Sequence, residues 1–302
     1  MANDIKINSV SISNIKKGTS QIYKAYQGVN LVWDSGLSPS NFILDDYSSE
    51  LAWSFRKLKT TATVSCRLRR SNDNAETDVL LTETGSVSLI SIVSAGGSLG
   101  DWIGVNSGYV KTIYDQMVNG YDFTQTDTAK QPKLITSGVI ELSNGLPAII
   151  FKSTDILTGL EFDSAKMSLF SVLTSPTTFP NISYVFGNNG GGYAIGGTNS
   201  SYRQIFGISE SKQVKGYTIR PSGQNLFEWY DDALFLNGAE DSPYTTYNPM
   251  LRCRFFALGA RPDFTPLYFG GKFQEAIIYS TNESLTNRVT INSDLKTFYT
   301  TP

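Results

Sequence analysis

Hydrophobic and polar positions alternate over short stretches along most of the chain, with turn-forming residues between them. Val64, Cys66 and Leu68 alternate with Ser65, Arg67 and Arg69, the period-two pattern of a half-buried strand. Comparable stretches recur at 109–114, 147–152, 167–173, 182–186, 204–208 and 216–220, and again at 225–230, 233–236, 253–259 and 272–279. Gly, Pro and Asn punctuate them, and many short strands separated in this way predict a sandwich or jelly roll. Helical patterning is confined to 47–58, 87–95 and 282–297. Glycine runs at 190–192 and 196–197 predict a tightly turning loop.

The first 35 residues read as a separate module. Ile5, Ile7, Val10 and Ile12 alternate with one break, which predicts a strand over 4–13. Lys17-Gly18-Thr19 marks a turn, 21–26 alternates again, and Gln27-Gly28 leads into 29–33, so a three-stranded meander is expected. A piece this small buries too little apolar surface to be stable alone and has to pack on the main domain or on another chain. Residues 36–41, rich in Gly, Ser and Pro, form a linker, and 42–302 read as one large β domain.

Composition narrows the chemistry. The 302 residues contain no histidine, which excludes Ser-His-Asp and Cys-His catalysis, His-based metal sites and any histidine pH switch. Cys66 and Cys253 are the two cysteines, too few for a thiolate metal site and too far apart for a Cys-x-x-Cys motif. With 25 Lys+Arg against 27 Asp+Glu, net charge gives no reason to expect nucleic acid as a partner. No apolar run reaches the length of a membrane span, and residues 1–6 lack the pattern of a secretory signal, so a chain made in a reducing cytoplasm is expected. Only 17% of residues are charged, fewer than in an ordinary soluble domain. Buried strands account for that, and so does a surface covered by neighbours in an assembly.

Several side-chain groups are candidates for binding. A sugar site needs an aromatic platform and a few planar polar groups, a mixture offered by Trp229, Tyr230, Asp231 and Asp232, and by Trp102 and Tyr193 beside glycine-rich loops. Arg67, Arg69 and Arg70 with Asp73, Glu76 and Asp78 form the densest charged segment. Asn72, Asp73, Asn74 and Asp78 are hard Ca²⁺ ligands by type, but their spacing is not that of a calcium loop. A tight turn with Arg–carboxylate pairing accounts for the same residues. Tyr114-Asp115-Gln116 reads as a buried hydrogen-bonding motif that fixes loops. No phosphate-loop string occurs, and no cofactor is expected.

Two resemblances add to this reading. Ile15-Lys16-Lys17-Gly18, followed by 22–33 from Ile22-Tyr23-Lys24-Ala25-Tyr26 to Leu31-Val32-Trp33, resembles a short N-terminal segment of bacteriophage virion proteins. The resemblance implies an attachment role for Ile22, Tyr23, Tyr26 and Trp33. The second spans most of the large domain. Its motifs are Trp53-Ser54-Phe55-Arg56, Arg67-Leu68-Arg69-Arg70-Ser71-Asn72-Asp73-Asn74, Tyr114-Asp115-Gln116, Asn119-Gly120, Gln131-Pro132-Lys133, Asn144-Gly145-Leu146-Pro147, Leu258-Gly259-Ala260-Arg261 and Gly270-Gly271-Lys272-Phe273. Their order is similar to that in a family of concanavalin A-like (laminin G-like) jelly-roll domains, distantly related to the arabinofuranosidase B catalytic domain. The chain departs from that pattern at Met117-Val118 and at Lys152-Ser153-Thr154.

The second resemblance implies carbohydrate binding and raises glycoside hydrolysis, which needs two carboxylates facing one pocket. It places Asp263 near the family's acid, while Glu228 is the nearest glutamate to the nucleophile, in unmatched surroundings. Asp263 also suits a turn after Pro262 or a ligand contact.

Together these features predict an all-β protein: a small N-terminal meander, then a concanavalin A-like jelly-roll sandwich with a few short helices. The expected function is a non-enzymatic structural or interaction protein of a phage particle, as capsid decoration, head fibre or tail component. It would sit in the virion in multiple copies among other virion proteins and bind host-surface carbohydrate, without nucleic acid or membrane insertion. A free carbohydrate-binding module of a bacterial surface protein and an arabinofuranosidase-like hydrolase are the alternatives.

Overall fold

The computed structural model describes strand segments within 6–34, and then residues 42–82, 85–175, 182–188, 192–196, 203–209, 212–215, 218, 223–230, 233–241, 245–246, 253–261 and 267–302. The chain divides into two compact units, Met1–Phe42 and Ile43–Pro302.

The first unit differs from the expected three-stranded meander. Its described strands form three separate antiparallel pairs: Lys6–Ile7 with Val10–Ser11, Ile15–Lys17 with Ser20–Ile22, and Lys24–Gln27 with Asn30–Asp34. The strand expected over 4–13 is two short strands. The two strands, Lys6–Ile7 and Val10–Ser11, pair with each other, and the sequence alternation breaks between Ile7 and Val10.

The second unit is an antiparallel β sandwich. One layer runs in the order Ala239–Glu240, Ala233–Leu236, Gln224–Tyr230, Ser168–Thr174, Lys272–Tyr279 and Leu51–Ser54. The other begins Glu76–Leu80, Val64–Arg70, Gly108–Ile113, Phe123–Thr124, Leu157–Ser164, Cys253–Leu258 and Ile182–Gly187. It continues through Gly192–Gly196, Arg203–Ser209 and Lys212–Lys215 to Thr245–Thr246. Lys133–Thr136 and Ile149–Ile150 join the layers at a corner, since Lys133 pairs with Ile150, and Ile149 with Phe273.

Alternation along the first layer sends each strand into two different environments. Leu51 and Trp53, Leu169 and Leu173, Phe227 and Trp229, and Phe273 and Ile278 point into the core between the layers. Ala52, Phe170, Val172, Leu226, Ile277 and Tyr279 point the other way, under the C-terminal helix Leu285–Tyr299. That helix presents Arg288, Ile291, Leu295 and Tyr299 to the sheet, the three- and four-residue spacing of one helical face. A sheet buried on both faces loses the polar half of its alternation. In 47–58 the apolar residues Tyr47, Leu51, Phe55 and Leu58 also recur at helical spacing, so that segment read as helical, whereas Leu51–Ser54 is a strand with every residue buried. The helix expected at 87–95 is also absent. Turns and isolated bridges occupy that segment, and a short helix forms instead at Leu99–Ile103, capped by Ser98. The 147–152 stretch is divided between Leu146–Pro147 and Ile149–Ile150. Of 216–220, only Thr218 is described, outside any element.

Candidate functional site

The sequence-derived sugar platform does not assemble as expected. Trp229 is only 1% exposed and belongs to the core between the layers, so its indole offers no face to a sugar. Tyr230 is half-buried, with its ring edge-on to Phe235 at 6.2 Å and the Arg288 guanidinium 5.4 Å from its centroid. Tyr193 is also enclosed, and Trp102 is packed partly against the core with the Arg70 guanidinium 4.9 Å from its ring. Asp231, Asp232 and Asp263 lie outside the described residues, as do the side chains of Ile22, Tyr23, Tyr26 and Trp33.

Glu228 is committed to the packing of the C-terminal helix. It alternates with Phe227 and Trp229, so its side chain emerges on the helix side of the sheet and is completely buried. It accepts from Arg288 Nε at 3.1 Å, from Asn292 Nδ2 at 2.7 Å and from the Gly238 N–H at 3.1 Å. Burial pushes its carboxyl above the usual range, against the pull of Arg288, Asn292 and Gly238. A nucleophilic carboxylate has to face substrate, and this one faces Arg288.

The charged segment at 67–78 resolves into ion pairs. Asp78 accepts from Arg67 Nε and Nη2 at 2.8 and 2.7 Å and from the Tyr114 hydroxyl at 2.8 Å. Arg67 holds its carboxyl below the usual range, against the opposing effect of burial. Asp73 closes the turn after Val64–Arg70 by accepting from Arg70 Nε and Nη2 and from the Ala75 N–H. Glu76 pairs with Lys111 at 2.7 Å. The paired-turn reading therefore describes Arg67, Arg70, Asp73, Glu76 and Asp78, whereas Arg69 bonds the neutral acceptors Gln131, Asn74 and Thr128. Among the described residues, no group of three or more His, Cys, Asp or Glu is placed to hold a metal ion.

Tyr114-Asp115-Gln116 serves the open edge of Leu51–Ser54. Asp115 accepts from the N–H groups of Ala52, Met117 and Asn119 at 3.0–3.1 Å. The Gln116 N–H donates to Ala52 O, and its side chain bonds Leu58 N and Arg56 O. Side chains thus satisfy backbone groups that a neighbouring strand would otherwise meet.

The outer face of the second layer carries a cleft of about 350 Å³. Three directly opposed residues make its floor: Arg69 pairs across the sheet with Tyr109, and Tyr109 with Lys133. Arg69 Cζ stands 4.7 Å from the Tyr109 ring centroid and Lys133 Nζ 5.3 Å. The turn at 128–131 walls one side with Thr128, Ala129 and Gln131. The turn at 152–155 walls another with Lys152, Thr154 and Asp155, and Ser71 completes the lining. Asp155 closes its own turn by accepting from the Lys152 N–H at 2.8 Å. Its carboxyl is raised by burial, against the Lys152 N–H and the nearby lysines. Sequence reasoning singled out Arg69 but not the site. The available signal was that Gln131-Pro132-Lys133 and the departure at Lys152-Ser153-Thr154 converge on it.

No family model matches the chain, and no curated protein is significantly similar to it. Solved structures do share its fold. One is a GH54 α-L-arabinofuranosidase soaked with a cyclic sulfate inhibitor, and another an arabinofuranosidase complexed with arabinofuranosyl-α-1,2-xylobiose. Each aligns with a TM-score of 0.55 at 17% identity, over 85% of this chain.

The fold is shared with arabinofuranosidases. The chain spans 64% of the length of those proteins. The comparison corrects the expectation of a non-enzymatic protein to this extent: those two structures, which share the fold, are arabinofuranosidases.

Proposed function

We propose that the second unit is a carbohydrate-recognising β sandwich and that the first unit attaches it to a phage particle, in the head or the tail. The observation that carries the carbohydrate reading is the outer-face cleft. It brings amide, hydroxyl and charged groups together on one concave surface, the polar groups that orient a sugar. The shared fold supports it at the level of analogy. The attachment reading rests on the resemblance of 15–33 to phage N-terminal segments and on the separate compactness of Met1–Phe42. Many copies on one particle would raise the avidity of a weak sugar site.

Hydrolysis of glycosides is the second reading, favoured by the arabinofuranosidase fold. Glu228 is unsuited to it by its burial against Arg288, which leaves Asp263 as the carboxylate to test.

The full chain applied to a glycan array, with turnover of an α-L-arabinofuranoside measured in parallel, tests both readings. Selective glycan binding that weakens when the cleft is altered is the expected result. No binding and no turnover on any glycan would overturn the carbohydrate reading. Turnover lost in Asp263→Asn would establish hydrolysis. Particles from cells expressing the chain without residues 1–41 should lack it by mass spectrometry; normal incorporation would refute the attachment role.

A further inference from the structure

The cleft on the outer face has an unbalanced charge. Arg69, Lys133 and Lys152 line it against the single carboxylate of Asp155. Arg69 is 7% exposed, and a guanidinium removed from water in this way ordinarily has a carboxylate partner. Here its acceptors are neutral: Gln131 Oε1 at 2.7 Å, Asn74 Oδ1 at 2.8 Å and Thr128 O at 3.4 Å. Among the described residues, neither Arg69 nor Lys133 nor Lys152 makes an ion pair, whereas Arg56, Arg67, Arg70, Arg254 and Arg288 all do.

The neutral acceptors hold the guanidinium in place without cancelling its charge. Asn74 takes the positive φ of 58° at the end of the turn that brings its amide to Arg69. Gln131 is itself fixed by donating to Gln125 O at 2.7 Å. Of the five guanidinium N–H groups, three are used by these bonds, so one on each terminal nitrogen is left for a further acceptor. Asp155 is not among Arg69's partners; its oxygens accept from Lys152 N and Thr154 Oγ1 within their own turn.

We infer that this cleft binds the carboxylate of an acidic sugar of the uronic acid type. This rests on the carbohydrate reading above and specifies its ligand class. The planar guanidinium matches the two oxygens of a carboxylate better than a lysine ammonium can, and the two lysines add long-range attraction from the rim. Gln131, Thr128, Thr154 and Ser71 are the amide and hydroxyl groups available to the sugar's own hydroxyls. The volume lies at the lower end of the range for small-molecule sites, about 300–1,000 Å³, and suits one or two sugar rings. Tyr109 is flanked by two cations, so its ring orients them and is not a stacking platform.

Isothermal titration calorimetry on the full chain tests this, with a digalacturonate, its neutral digalactoside counterpart and inorganic sulfate as probes. The expected result is digalacturonate binding at least tenfold tighter than the neutral sugar and weakening with added salt. Arg69→Gln should reduce it tenfold or more, and Lys152→Gln severalfold. Lys152 is exposed and outside the core, so its variant remains informative even if Arg69→Gln disturbs folding. Equal binding of acidic and neutral sugars, or digalacturonate binding unchanged in Lys152→Gln and Arg69→Gln, overturns the inference while leaving carbohydrate recognition standing. Sulfate binding with no sugar bound overturns it as an acidic-sugar site and also counts against the carbohydrate reading.

Discussion

Glu275 accepts hydrogen bonds from Ser54 Oγ at 2.6 Å, Arg56 Nε at 2.9 Å, Arg56 Nη2 at 3.0 Å and Tyr299 Oη at 2.8 Å, with no exposed surface. Arg56 also bonds Asp294 and lies over the Phe298 ring at 4.4 Å. Every partner is within reach because alternation turns Ser54 and Glu275 to the helix side of the sheet. Removing the cation leaves a buried carboxylate without charge compensation, which costs about 3–5 kcal/mol. Arg56→Ala is accordingly expected to lose that much in urea denaturation, and a loss below about 1 kcal/mol would contradict the pairing. Nothing in the local sequence around Glu275 or Glu228 distinguishes such acids from catalytic ones. Their arginine partners are 219 and 60 residues away, respectively. Cys66 shows the same dependence on surroundings. Enclosed in the core, its thiol is pushed up to about 12 by burial, the direction that disfavours the nucleophilic thiolate. Gly259 was legible as part of a motif, but its reason was not: at φ +92° a Cβ there would stand 2.3 Å from the Phe151 ring.

At the scale of elements, many strands were legible as short apolar stretches set between turn-forming residues, whether one face is buried or both. Ala233–Leu236 and Lys272–Tyr279 fall where the pattern placed them. Leu51–Ser54 was hidden because Tyr47, Leu51, Phe55 and Leu58 recur at helical spacing around it, and the three N-terminal pairs by a break that alternation alone did not resolve. The C-terminal helix was legible at 282–297 and occupies Leu285–Tyr299, starting after Ser284, whose side chain accepts from the Asn287 N–H. Ser284→Ala should destabilise the protein by about 1 kcal/mol through loss of that cap. Ser293→Ala, in the exposed middle of the same helix, should change stability much less. Equal effects of the two substitutions in thermal unfolding would show that the cap carries no weight.

For the whole molecule, the second unit contains both hydrophobic clusters and the helix that covers its first layer. Residues 43–302 are therefore expected to fold alone, with circular dichroism and cooperative unfolding matching those of the full chain; a broad, non-cooperative transition would refute this. The sequence by itself determined the all-β class, many of the longer strands and the exclusion of histidine chemistry, because these depend on residue type and period. Tertiary structure alone decided which acids are spent on core ion pairs, that Trp229 is enclosed, and that Arg69, Tyr109 and Lys133 lie side by side with Lys152. Cross-strand register brings together residues far apart in the chain, and burial decides whether a charged or aromatic group meets solvent. Neither can be read from local alternation.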